Sequence, residues 1–115
     1  MAENQVTRTS RSGGSHVFAQ LLNAAIAITD GVWFNLGGTN PVTVSVTGIT
    51  SATLEIRVSN QETQPLNSEH GLQAGNVIKK DGVFVIDYPI EWIKVRIESY
   101  TSGTIDAELI GREVA

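Results

Sequence analysis

Apolar and polar residues alternate with a period of two along most of the chain. Val42, Val44 and Val46 interleave with Thr43, Ser45 and Thr47, and Leu54, Ile56 and Val58 with Glu55, Arg57 and Ser59. Alternation of this kind puts one set of side chains on a core and the other in solvent, so it predicts two half-buried strands. Gly48 to Ala52 reads as the turn between them. Val32, Phe34 and Leu36 alternate with Trp33 and Asn35 in an earlier strand, which the breakers Gly37-Gly38-Thr39-Asn40-Pro41 close. Near the end, Ile93, Val95 and Ile97 alternate with Lys94, Arg96 and Glu98; Ile105, Ala107 and Leu109 alternate with Asp106 and Glu108. Tyr100-Thr101-Ser102-Gly103-Thr104 separates these runs and predicts a hairpin over 92–109, with Gly103 in the left-handed position. In that register Arg96 faces Glu108, and Glu98 faces Asp106, an acid pair that calls for a cation from outside.

Residues 16–29 carry two overlapping patterns. Phe18, Leu21, Leu22, Ala25 and Ile26 have helical spacing, whereas Leu22, Ala24, Ile26 and Ile28 have strand spacing. The Thr29-Asp30-Gly31 turn and the strand after it favour strand. Val77-Ile78 is a short strand candidate before the Asp81-Gly82 turn. Val83 to Ile86 is a continuous apolar run, read as a strand buried on both faces. Asp87-Tyr88-Pro89 then suits a sheet edge or corner. The sum is seven or eight strands at roughly 8–12-residue spacing with no helix, an all-β antiparallel sandwich or jelly-roll-like domain.

Two stretches fall outside the alternation. Residues 1–15 are polar and end in Ser12-Gly13-Gly14-Ser15, an extended arm preceding a single domain over 16–115. Arg8 and Arg11 would be its handles for carboxylates on a partner. Asn60 to Asn76 is polar, holds Pro65, Gly71 and Gly75, and is long for so small a domain. Loops of that length often carry contacts, which makes Glu69, His70 and Leu72 candidates.

Composition narrows the function more than it names it. The chain has 115 residues, a formal net charge of −4 and no cysteine. That charge argues against a general nucleic-acid binder, and the lack of cysteine removes thiolate metal sites and disulfides. No apolar stretch is long enough for a membrane helix. His16 and His70 each stand without a histidine or cysteine neighbour, and Glu69-His70 could hold a metal only if the fold brought further ligands. No Gly-x-Ser-x-Gly elbow or phosphate loop occurs, and no paired carboxylates define a cleft. No enzyme, metal or cofactor is expected. Trp33 and Trp92 are out of phase with their strands' apolar residues. They read either as interface anchors beside Lys94, Arg96, Glu98 and Asp106, or as sheet-end tryptophans covered by a loop.

Several segments, in order, resemble small virion structural proteins of tailed bacteriophages, most of all capsid decoration (cement) proteins. They are Leu21-Leu22-Asn23-Ala24-Ala25, Trp33-Phe34-Asn35-Leu36-Gly37-Gly38, Val42 to Gly48, Ala52 to Asn60, Trp92 to Ile97 and Ser99 to Ile105. The resemblance covers roughly residues 17 to 110 and carries no catalytic residues. It implies a protein made in the host cytoplasm that binds the major capsid protein on the virion surface, with self-association as a dimer or trimer. The rival expectation is a carbohydrate- or receptor-binding module of a phage tail or fibre, with Trp33, Trp92 or Tyr100 as stacking platforms.

Overall fold

The computed structural model describes residues 9–10, 16–37 and 39–113. Every regular element among them is a β-strand: β1 (Thr9–Ser10), β2 (His16–Ala25), β3 (Phe34–Asn35), β4 (Thr39–Ser59), β5 (Leu72–Gln73), β6 (Gly82–Ile86) and β7 (Trp92–Glu113). All pairings are antiparallel, in the order β1-β2-β7-β4-β5, with β3 on β7 and β6 on β4. The all-β antiparallel expectation therefore holds. The strands form one continuously hydrogen-bonded sheet.

The principal correction concerns the 92–109 hairpin. Residues 92–113 do not turn back; they run on as the 22-residue β7, and β4 runs 21 residues through the expected Gly48–Ala52 turn. The two pair along nearly their whole length, from Thr39↔Glu113 to Ser59↔Trp92. The alternation itself was read correctly: Ile93, Val95, Ile97, Ile105, Ala107 and Leu109 all join one buried core with Val42, Val44, Val46, Leu54 and Ile56. Both apolar runs of β7 meet β4, however, and not each other. Arg96 faces Glu55, Asp106 faces Thr47 and Glu108 faces Ser45. Glu98 lies where the register shifts between Thr53 and Leu54 and is exposed. The expected clash with Asp106 does not occur.

Glycines mark where both strands bend. Gly48 (φ +87) and Gly103 (φ +125) sit against each other at the register shifts. A Cβ on Gly103 would lie 2.5 Å from the Gly48 carbonyl oxygen, and one on Gly48 would run into the Thr104 carbonyl. Only a residue without Cβ permits this approach at such a φ. Bulges leave N–H groups outside the ladder, and carboxylates receive them. Asp81 accepts from Gly48 (3.2 Å) and Ile49 (2.8 Å). Asp106 accepts from Ala24 (2.8 Å), whose φ of 51 marks the irregular end of β2.

Two smaller expectations also change. β2 is a strand as read, but Ile26 and Ile28 lie exposed beyond it, and Leu21, Leu22 and Ala25 face the core across its register shifts. Val83 and Val85 are 64% and 65% exposed, so β6 is covered on one face only. Replacing Gly48 or Gly103 by Ala should cost about 1–3 kcal/mol through backbone strain alone. Urea unfolding should show a lower midpoint for each variant, and a pair of wild-type midpoints would refute the close approach.

Candidate functional site

The alternation of β4 and β7 puts Arg57 opposite Lys94 and Glu55 opposite Arg96 on the face away from the core. Polar side chains on a sheet's outer face are ordinarily solvated. Here the 60–76 segment closes over Lys94 and Arg57, and Asp30 pairs with Arg96. Lys94 is wholly buried and Glu55 nearly so.

Two cations facing each other across a ladder repel unless acceptors surround them. The loop supplies those acceptors from its main chain. Lys94 Nζ donates to the carbonyls of Asn67 (3.0 Å) and Glu69 (2.9 Å). Arg57 donates to the carbonyls of His70 (2.7 Å) and Gly71 (3.0 Å). Trp33, delivered by the residues just before β3, donates its indole N–H to Leu66 O (3.1 Å) and Glu69 O (3.2 Å). Trp92, at the start of β7, does the same for Gln61 O (3.0 Å). The Lys94 ammonium also lies 4.7 Å from the centroid of the Trp33 ring, a cation–π contact. Within the loop, the Glu69 carboxylate accepts from the Leu66 N–H (2.9 Å).

Beside this, Glu55 binds two guanidiniums, Arg96 at 3.1 Å and Arg57 at 3.6 Å, while Arg96 also binds Asp30 at 3.2 Å. Burial pushes the Lys94 ammonium below its usual pKa range; Asp30 opposes this, and Arg96 and Arg57 add to it. Burial likewise lowers the His70 pKa, reinforced by Arg96, Lys94 and Arg57 against Asp30. His70 Nδ1 lies 3.4 Å from Lys94 Nζ, a distance at which the neutral ring can accept from the ammonium.

These positions revise the expected contact surface. Trp33 is 3% exposed and Lys94 is buried, so neither stands on the outer surface; the covered-tryptophan alternative is the one observed for Trp33. Trp92 and Arg96 are half-buried and engaged within the chain. Trp33 offers no face for a sugar, and the Tyr100 hydroxyl donates to the Gly103 carbonyl at the bend of β7. Asp106 is taken up by Ala24, and Glu98 is exposed apart from the cluster. Arg8 and Arg11 lie outside the described residues. The expected Asn60–Asn76 loop is interrupted by β5, where Leu72 pairs with Val58 on the edge of β4. Glu69 and Leu72 are exposed and His70 is half-buried; Leu66 and Leu72, 68% and 75% exposed, are the large apolar side chains the 60–76 segment presents. Asp30, Glu55 and Arg57 were not singled out from the sequence. Glu55 and Arg57 look there like any solvated pair on a strand's polar face, and nothing local announces the cover.

Chemically, the arrangement is a presented loop held by fixed donors. Among the described residues no group of three or more His, Cys, Asp or Glu could hold a metal ion.

No protein-family model and no curated protein sequence matches the chain. Among solved structures, its fold is similar to the crystal structure of the SPBc2 prophage-derived protein YomS. The TM-score is 0.65 at 14% identity, over 90% of this chain and 97% of that one. At that identity the likeness speaks for the shared fold.

Lys94→Met keeps most of the stem's volume but removes the donors to two covered carbonyls. The expected cost is about 1–3 kcal/mol. Amide exchange should quicken over residues 66–71, while the β2-β7-β4-β6 ladder keeps its protection. Uniform loss of protection across the sheet would contradict the loop-specific role. For His70, a lowered folded pKa means the unfolded chain binds more protons between that value and 6.5. Stability should therefore fall as pH drops through this window. A His70→Gln variant should show a flatter pH dependence in thermal melts over the same range.

Proposed function

We propose that this chain is a non-enzymatic structural protein of a phage particle, and more narrowly a capsid decoration protein that binds the assembled shell. The observation that carries a binding role is the 60–76 loop. Six main-chain hydrogen bonds from Trp33, Arg57 and Lys94 hold it in shape while Leu66 and Leu72 stay outside. A loop ordered before contact loses little conformational freedom on binding, so more of the contact energy remains as affinity. The phage setting is supported by the shared architecture with a prophage-derived protein and by the sequence resemblance described above.

On this reading the loop docks on neighbouring copies of the major capsid protein at the virion surface. A protein that binds only the assembled shell stabilises it by mass action. Particles of the source phage prepared without this chain should release DNA at a lower temperature, and adding the purified protein should restore the wild-type value. A Leu66→Glu, Leu72→Glu double variant should fold normally and fail to restore it. Equal heat resistance with and without the chain would sink the capsid assignment.

A further inference from the structure

Among the described residues β6 pairs with β4 and with no other strand, so its second hydrogen-bonding edge is open. Phe84 and Ile86 turn inward, whereas Val83 and Val85 stand in solvent. From Val85 a row continues across the sheet through Thr43 and Ile110 to Phe18. Shallow grooves of about 360 and 410 Å³ flank the strand; both include Val83 and Phe84 in their walls, and Tyr88 and Val77 line their outer parts. An open apolar edge is a template for another strand, and neither Lys nor Pro within 82–86 guards it.

We propose that β6 of a second copy occupies this edge, in an antiparallel two-fold pairing centred on Phe84. The strand's own sequence selects that occupant. Val83-Phe84-Val85 reads the same in both directions, so the two-fold sets Val83 against the second copy's Val85 on the solvent face. Phe84 then meets its counterpart on the inner face, beside the flanking grooves. Gly82 falls opposite Ile86, small against large, and no charge enters the five paired positions. Just outside them Lys80 faces Tyr88, and Asp81 faces Asp87. That acid pair is the one repulsive element. It is softened because Asp81 already accepts two N–H groups of its own chain. A specific interface covers roughly 800 Å² on each partner. Five paired residues approach that area only with the grooves filled, so the dimer is a concentration-dependent one. The inference stands on the sheet edge and does not depend on the capsid reading.

Sedimentation equilibrium of the full chain, from low micromolar to near-millimolar concentration, tests it. The expected result is a monomer–dimer equilibrium. A Val83→Lys, Val85→Lys double variant, whose changes lie on the solvent face, should weaken it at least about tenfold, the equivalent of 1.4 kcal/mol. Its far-UV circular dichroism should be unchanged. Asp87→Asn should tighten the dimer by removing the repulsion. A monomer throughout the range, or a dimer indifferent to the lysine pair, overturns the proposal. A dimer that Asp87→Asn does not tighten overturns the Phe84-centred register.

Discussion

The pairing of β4 with β7, carried through its register shifts from Thr39 to Ser59, is the constraint from which the rest of this molecule follows. It brings Val42, Val44, Val46, Leu54 and Ile56 over the apolar residues of β7 in a single core. The register that pairs Leu54 with Ile97 and Ile56 with Val95, read on the opposite face, puts Arg57 across from Lys94 and Glu55 across from Arg96. A slip of one residue would exchange the two faces and send the cations into the core. The core and the loop platform are therefore two faces of one strand pairing. What permits it to persist through more than twenty residues is the bend at Gly48 and Gly103, where a strand of ordinary stiffness would otherwise leave the core behind.

Lys94 illustrates how burial of a charge is tolerated. Its ammonium has no carboxylate within hydrogen-bonding reach in the structure described; it is satisfied by two carbonyls, an indole face and an imidazole nitrogen. Peptide dipoles serve here in place of a counter-ion, and the depressed pKa records the remaining cost of desolvation. Neighbouring Arg57 uses the same device with the next two carbonyls, so the loop closes over a pair of like charges. Glu55 supplies the formal negative charge one step along the ladder.

Much of this was legible in the sequence, and the parts that were not share a cause. Alternation assigned Ile93, Val95, Ile97, Ile105, Ala107 and Leu109 to the core correctly, because side-chain phase depends only on local geometry. Phase is the same whether the chain turns back at Gly103 or continues past it, so the hairpin and the long strand could not be told apart by pattern. Gly48 and Gly103 looked like two independent turns; only their meeting in space makes them one bend. The polar face of β7 was assigned outward, and it does point outward, but a loop more than twenty residues away in sequence covers Lys94. Val83 and Val85 failed in the opposite sense. A run without alternation signals burial on both faces, yet nothing among the described residues lies over their outer side.

The anchoring of the 60–76 loop has a consequence for how this protein can change over evolutionary time. The bonds from Trp33, Trp92, Arg57 and Lys94 end on carbonyl oxygens, a group that almost every amino acid provides identically. Shape is thus encoded largely in these four donors, and the side chains at Leu66 and Asn67 are released from specifying it. Such a division lets the exposed positions drift under selection for new surfaces while the fold stays where it is. The loop behaves as an interchangeable tip on a permanent handle.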